Sequence, residues 1–290
     1  MFTPRTNWDP HFAERLPRHF APLVDRAEPF ASLPEWPPIE LWNRLLPADL
    51  RRANALGTPI RFEVQTARPA SRRRREPLAR DSLYEASVYT RGVVPSRPES
   101  WHDFFNMLVW AACPRSRRAL NARHSRCLER WVPERFDRLP NARLREQDAL
   151  SMLDEGSVLL VCTAASTRTV NDVIARGDHP ALHALIREGA ARGLIFGHAL
   201  YEHLVSSDAV VRAAPVVLPT EAPLTHTPTA LRDLADELFA QALEDARNFT
   251  EPSAAPAVPL VTELFTRADD ARCNIPITAM NHPSTSPSSR

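Results

Sequence analysis

Lysine is missing from this chain of 290 residues, so all 36 of its basic side chains are arginines. The absence excludes a Schiff-base lysine, a phosphate-loop lysine and a Ser-x-x-Lys catalytic pair. Glycine is also scarce, with seven residues, and none of them forms a glycine-rich nucleotide-binding loop. Several common routes to covalent catalysis and nucleotide binding are therefore closed.

Cysteine is rare as well, and its spacing excludes two kinds of site. The four cysteines have no Cys-x-x-Cys pair among them, which rules out the usual zinc-ribbon spacing and a thioredoxin motif. We expect reduced thiols in a cytoplasmic protein. The first residues lack the apolar stretch of a secretory signal, and no apolar run approaches the ~18 residues of a membrane helix.

The charge balance argues against large charged partners. A formal net charge of +1 and a pI of about 7.8 create no field that would attract nucleic acid or an acidic membrane. The run Arg72 to Arg75 has no aromatic residues interleaved with it, so it predicts a solvated loop. We therefore expect no membrane partner, and we do not expect nucleic acid.

The stretch from Ser100 to Pro114 predicts a buried helix. Ser100 is a good N-cap, Asp103 suits the first turn, and Pro114 ends the element. Apolar residues cover nearly the whole circumference between them, which is typical of a helix enclosed by the core. Polar residues inside such a helix must therefore have hydrogen-bond partners or belong to a functional site.

Two polar faces follow one another here. His102 and Asn106 are four residues apart on the first helix, and Arg117, Asn121 and His124 share one face of a second helix after Pro114. Leaving such groups buried without partners costs roughly 1–3 kcal/mol each. The pattern indicates either a structural polar network that fixes how two helices meet, or a binding or catalytic site.

A second motif lies between Leu194 and Leu204. His198 and Glu202 are four residues apart and share a helical face. Such a pair can bind one metal ion, or the carboxylate can orient the imidazole as a base. An ordinary surface histidine–glutamate pair fits the spacing equally well.

The remaining pattern predicts an α+β fold, predominantly helical, with a small mixed or antiparallel sheet in a single domain. The expected strands are Ile60 to Gln65, Tyr84 to Thr90, Val158 to Cys162 and Ala213 to Leu218. Helices are expected over 180–192 and 228–247. We expect an N-terminal extension over 1–20, the domain over 21–250, and a proline-rich linker with a largely disordered tail over 251–290.

Several blocks of sequence resemble one bacterial family. They are Tyr84-Glu85, Gly92-x-Val94-Pro95-x-Arg97, Trp101-His102-Asp103-Phe104-Phe105-Asn106, Pro114-Arg115, Leu120-Asn121-Ala122-Arg123-His124 and Phe196-Gly197-His198-Ala199-Leu200-x-Glu202. Together they resemble the domain of unknown function 3025 over roughly residues 20–206. The resemblance implies no assigned activity. It also implies a C-terminal segment with a Pro-Gly-Trp turn, which is missing because no tryptophan follows Trp131 and no glycine follows Gly197.

Two classes of function remain for these residues besides a purely structural role. A metal-assisted hydrolase of a phosphoester or amide would use His102, His198 and Glu202 as catalytic groups, and a divalent metal would be held by His102, His124, His198 and Glu202. Arg97, Asn106, Arg117 and Asn121 would then bind the substrate. A non-catalytic module would use the same arginines and amides to bind a small anionic ligand or a nucleotide.

Overall fold

The computed structural model describes residues 7–45, 55–65, 77–140, 142–224 and 227–266. Within these ranges the chain has the predicted α+β fold, with more helix than strand. The arginine run at 72–75, Cys273 and the tail predicted over 284–290 lie outside the described residues. None of the described helices is long and apolar enough to cross a membrane.

The helices follow the chain in the order α1 (Pro17–Phe20), α2 (Val24–Ala27), α3 (Ile39–Leu45), α4 (Tyr84–Arg91), α5 (Trp101–Ala112), α6 (Pro114–Trp131), α7 (Arg145–Gly156), α8 (Thr167–Ala175), α9 (His179–Arg187), α10 (His198–Ser206) and α11 (Pro228–Glu244). The strands are β1 (Arg61–Val64), β2 (Leu78–Ala79), β3 (Val93–Ser96), β4 (Arg135–Phe136), β5 (Ser157–Thr163), β6 (Ala191–Ile195), β7 (Arg212–Thr220) and β8 (Val258–Pro259).

The main sheet has the order β6-β5-β7-β8. Strand β5 runs antiparallel to β6 and parallel to β7, and β8 pairs antiparallel with the start of β7. Residues 157–162 of β5 are all buried, which explains why this strand is a continuous apolar run. The strands predicted over Ile60 to Gln65, Val158 to Cys162 and Ala213 to Leu218 are thus confirmed, and the main sheet is mixed.

The strand predicted over Tyr84 to Thr90 is wrong, because these residues form α4. Consecutive buried residues Ala86, Ser87 and Val88 contradict the alternation of a half-buried strand. Gly92 ends the helix with φ of 65°, a conformation in which a side chain is strained. The strand comes after this glycine, where Val93–Ser96 pairs in parallel with Arg61–Val64.

The helix predicted over 180–192 is too long, and a strand follows it. Helix α9 ends at Arg187, the chain turns at Gly189 with φ of 82°, and β6 begins at Ala191. Residues 191–195 are buried next to β5, so their apolar character reflects a place in the sheet. The second motif is therefore a strand followed by a helix that starts at His198.

The first residues of the described chain are packed into the main core. Phe12 and Phe20 are 2% and 1% exposed, and the Phe12 ring meets the Phe105 ring edge to face at 5.3 Å. His19 Nε2 lies 3.0 Å from the carbonyl oxygen of Leu260, which joins both ends of the described chain. The domain boundaries predicted at residues 20 and 250 stay predictions.

Burial makes His19 a source of acid sensitivity. Burial lowers the pKa of His19, so the folded protein resists a proton that the unfolded chain accepts near its ordinary pKa. Stability should therefore fall as the pH drops through about 6.5. We expect the free energy of unfolding to fall less between pH 7.5 and 5.5 in His19→Gln than in the wild type, measured by urea denaturation. Equal slopes would contradict this assignment.

Candidate functional site

Helix α5 begins as its sequence predicts. The Ser100 hydroxyl accepts from the Asp103 backbone N–H at 3.4 Å and caps the helix. The Asp103 carboxylate then accepts from the backbone N–H and Nε of Arg97, at 2.7 and 2.8 Å. These bonds fix the first turn and leave His102 beside them, where its side chain is 28% exposed.

The two predicted motifs meet in space. His102 Nδ1 lies 3.0 Å from Glu202 Oε2, and His102 Nε2 lies 3.0 Å from His198 Nε2. His198 is buried, and its Nδ1 lies 2.9 Å from the backbone carbonyl oxygen of Asp154. Helices α5 and α10 thus bring together the three residues that the sequence singled out as catalytic.

Gly197 makes this meeting possible. A Cβ built at Gly197 would lie 2.6 Å from the backbone carbonyl of Glu155, so only glycine lets the start of α10 approach the end of α7. Because His198 follows directly, the close approach brings its ring to the Asp154 carbonyl oxygen. One glycine therefore sets the position of the buried imidazole.

The bonding partners assign protons to both rings. A carbonyl and a carboxylate only accept, so His198 Nδ1 and His102 Nδ1 must each carry a hydrogen. The two Nε2 atoms then face each other, and a hydrogen bond between them requires a second proton on one ring. The hydrogen bond to Glu202 raises the pKa of His102, whereas burial holds the pKa of His198 well below its usual range. Of the two rings, His102 is therefore the one that takes up the second proton more readily.

A buried network lies behind the histidines. Arg117 forms an ion pair with Asp154 and donates from Nη2 to Asn106 Oδ1 at 2.8 Å. Asn106 in turn donates to the Tyr84 hydroxyl at 2.8 Å, and the Arg117 guanidinium lies 4.9 Å from the centre of the Trp110 ring. The network ties α4, α5, α6 and α7 together through one side chain from each helix.

The other predicted residues of α6 contribute in different places. Asn121 donates to the Glu85 carboxylate at 2.7 Å and to its backbone carbonyl at 3.0 Å. His124 is buried, and burial lowers its pKa; its backbone-directed hydrogen bond is to Leu150. Neither residue bonds to the pair of His102 and His198, so they fasten α6 to α4 and α7.

The predicted set of four metal ligands is not assembled. In the part of the chain that the structure describes, no three or more histidine, cysteine, aspartate or glutamate side chains are arranged to hold one metal ion. Glu202 bonds to the Nδ1 side of His102, away from the ring nitrogen that faces His198, and His124 has other partners. Only two imidazole nitrogens converge.

Three of the four predicted substrate-binding residues are enclosed. Asn106, Arg117 and Asn121 are 5%, 4% and 4% exposed, so their amides and guanidinium serve the network. The Arg97 side chain is 58% exposed and lies beside the histidine pair. It is the member of this set that a bound molecule can reach directly.

Two residues of the site were missed by sequence reasoning. Asp154 was not singled out, although an acidic residue two positions before Gly156 and close to a buried strand could have suggested a partner for Arg117. Tyr84 was assigned to a strand, which hid its position opposite Asn106. Both residues depend on contacts between elements distant in sequence.

The sequence profile of one protein family matches residues 73–262, about two thirds of the chain. Its description is "Protein of unknown function (DUF3025)". The chain belongs to this family. The match confirms the resemblance but corrects its limits, because it begins later than residue 20 and extends beyond 206 through β7 and α11. Searches of curated proteins and of solved structures found no match.

The matched region of DUF3025 includes both histidines, Asp154, Arg117 and the complete main sheet. It also includes the segment after residue 206 that departs from the expected Pro-Gly-Trp pattern. The sheet strand β7 and the helix α11 occupy this segment, so the family match includes structure that the sequence blocks did not point to.

We expect Gly197→Ala to destabilise the protein by about 1–3 kcal/mol, because the new Cβ overlaps backbone that cannot move aside. Gly156→Ala is a matched control, since a Cβ there meets nothing within 4 Å. Chemical denaturation measures both. Equal stabilities would show that the close approach of α10 to α7 does not depend on glycine.

The buried ion pair gives a second prediction. Arg117→Met leaves the Asp154 carboxylate buried without its partner, which should cost about 3–5 kcal/mol of unfolding free energy. Arg97→Met removes an exposed arginine and should cost at most about 1 kcal/mol. If thermal and urea unfolding gave the two variants similar losses, Arg117 would not be the centre of the network.

Proposed function

We propose that this DUF3025 protein is a metal-assisted hydrolase of a phosphoester or an amide, and that His102 and His198 are its metal ligands. The observation that carries the proposal is the convergence of their two Nε2 atoms. The proposal keeps part of the predicted ligand set and gives Glu202 a different role.

The relative position of the two rings favours a metal ion bound by both Nε2 atoms over a linear hydrogen bond between them. The Nε2 atoms are 3.0 Å apart, and the ring centroids are 4.5 Å apart at an interplanar angle of 73°. A hydrogen bond with both rings in line would separate the centroids by about 5.3 Å. If each Nε2 atom lay about 2.05 Å from one metal ion, the ring centroids would be about 4.7 Å apart, which is closer to the separation found.

The Nδ1 atoms of the two histidines also support metal binding at Nε2. His102 Nδ1 is held by a carboxylate and His198 Nδ1 by a backbone carbonyl. Metal-binding histidines almost always donate their second N–H to such acceptors, which fixes the tautomer and leaves the opposite nitrogen free to bind. Glu202 is therefore a positioning residue for His102, and Asp154 has that role for His198.

Two protein nitrogens leave room for other ligands. At a separation of 3.0 Å they would subtend about 94° at a metal ion, an angle suited to six-coordinate Mn²⁺, Fe²⁺ or Co²⁺. Water and substrate would have to complete the shell, so we expect weaker binding than at sites with three protein ligands. A metal ion bound there would supply Lewis acidity and an activated water.

Arg97 supports an anionic substrate. Arg97 lies in the connection between β3 and α5, and Asp103 on the first turn of α5 orients its exposed guanidinium through Nε and Nη2. A guanidinium held in this way recognises phosphate or carboxylate oxygens. Substrate binding would thus be assigned to Arg97, with Asn106, Arg117 and Asn121 supporting the site from behind.

One observation favours a second candidate, in which the cluster is only structural. The hydrogen-bonded network joins five helices, and it can fix how these helices pack whether or not a ligand binds. A non-catalytic anion-binding module would use Arg97 alone. Measurements of metal binding and of substrate hydrolysis distinguish the structural cluster and the anion-binding module from the hydrolase.

The first test is metal binding to the purified full chain. We expect Mn²⁺, Co²⁺ or Zn²⁺ to bind one per chain in isothermal titration, and His102→Ala and His198→Ala each to abolish binding. Glu202→Gln should weaken it about 10–100-fold, as expected for loss of the carboxylate that orients a ligand.

His124→Ala is the matched control, because it removes another buried histidine of the predicted ligand set that does not contact the pair. It should bind metal like the wild type. Failure of the wild type to bind any of the three ions, or equal loss in His124→Ala, would refute the metal site. Metal binding without hydrolysis of phosphoester or amide test substrates would leave a metal-dependent binding protein.

A further inference from the structure

A second candidate site lies on the main sheet, in a cleft of about 740 Å³. Strand β7 forms its floor, and helices α7, α8 and α11 with the loop after α11 form its walls. The volume lies within the range of small-molecule sites, about 300–1,000 Å³. Neither histidine of the proposed metal pair lines it.

The floor of the cleft is a free sheet edge that carries carbonyl groups. Thr163 of β5 donates its backbone N–H to Ala190 beside β6, so the odd-numbered residues of β5 face β6. The even-numbered ones face β7, and the parallel register then directs Pro215, Val217 and Pro219 to the opposite edge. Among the described residues no hydrogen bond reaches the main chain of these three.

Two prolines make this edge an acceptor surface. Pro215 and Pro219 have no N–H, so the edge offers three carbonyl oxygens but only the N–H of Val217. An additional strand would require donors at the proline positions, which disfavours strand pairing. A molecule rich in donors fits this edge better.

The side chains around the cleft also favour a ligand that is positively charged and donates hydrogen bonds. No arginine lines it, although the chain has 36, whereas Asp245 and Glu251 do. Both carboxylates pair with arginines outside the lining, Arg247 at 2.7 Å and Arg145 at 2.8 Å. Those guanidinium side chains are 89% and 76% exposed, so solvent screens both pairs. Arg247 bonds to both carboxylate oxygens of Asp245, so the single contact between Arg145 and Glu251 is the easier one for a ligand cation to replace.

The remaining walls combine apolar and uncharged polar groups. Met152, Leu218, Leu238 and Phe249 line the cleft, together with the polar side chains of Thr167, Asn171, Gln241, Asn248 and Ser253. Phe249 has a φ of 53°, a strained conformation for a side chain, and its ring meets the Phe239 ring edge to face at 5.9 Å. The rim is therefore built around an aromatic residue held in an unfavourable backbone conformation.

From these observations we infer that the cleft binds a small organic cation with an apolar body, such as an aromatic or alkyl amine. The ammonium group donates to the carbonyl edge and faces the two carboxylates. The apolar body lies against Leu218, Leu238 and Phe249. This site is independent of the proposed hydrolase centre.

Three probes that share a 2-phenylethyl group test the ligand class on the full chain. They are 2-phenylethylamine, 2-phenylethanol and 3-phenylpropionate, and isothermal titration measures the binding of each. We expect the amine to bind about tenfold or more tightly than the carboxylate, because only the amine complements the acidic, carbonyl-rich lining. Carboxylate binding as tight as amine binding would overturn the inference.

Two variants locate the binding. Asp245→Asn with Glu251→Gln should lower the amine affinity about fivefold or more and bring it towards that of the alcohol. Ala242→Trp should fill the cleft and abolish amine binding. If that variant does not fold, Asn171→Trp on the rim of α8 replaces it. Unchanged amine binding in a folded cleft-filling variant would place the ligand elsewhere and refute the site.

Discussion

The ion pair between Arg117 and Asp154 is the interaction on which the arrangement of the helices depends. Both side chains are buried, and a charge in that position is tolerated only with its partner. Asp154 faces two ways, because its carboxylate holds Arg117 while its backbone carbonyl accepts from His198. Arg117 extends the connection to Asn106 and so to Tyr84. The rigid, buried part of the network thereby fixes the exposed part, in which His102 and Glu202 reach the surface.

Many residues of the site were predictable from the sequence, but the orientation of their side chains was not. Helical spacing placed His102 and Asn106 on one face of α5, and His198 and Glu202 on one face of α10, because residues four apart on a helix share a face. It could not give the orientation of the imidazole rings, which depends on Asp154 and Glu202 from other helices. The role predicted for His124 illustrates the limit: it lies on the same helix as Arg117, yet its ring does not contact His102 or His198.

The fold was predictable where burial and local pattern agreed. Val158 to Cys162 is apolar and buried on both sides, and Ser100 to Pro114 has a cap at one end and a proline at the other, so both predictions were confirmed. Tyr84 to Thr90 alternates by chance, and Gly92 rather than the alternation decides its structure, by ending a helix. Ala191–Ile195 is buried throughout although β6 is at the edge of the sheet, and a short buried strand cannot be distinguished from a buried helix segment by periodicity.

The most direct measurement is long-range ¹H–¹⁵N NMR of the histidine side chains, recorded before and after addition of Zn²⁺. We expect the Nε2 resonances of His102 and His198 to shift together on metal binding, while both Nδ1 atoms stay protonated and bonded to Glu202 and to the Asp154 carbonyl. Unchanged Nε2 resonances in these two residues, or shifts confined to other histidines, would contradict the proposed metal site.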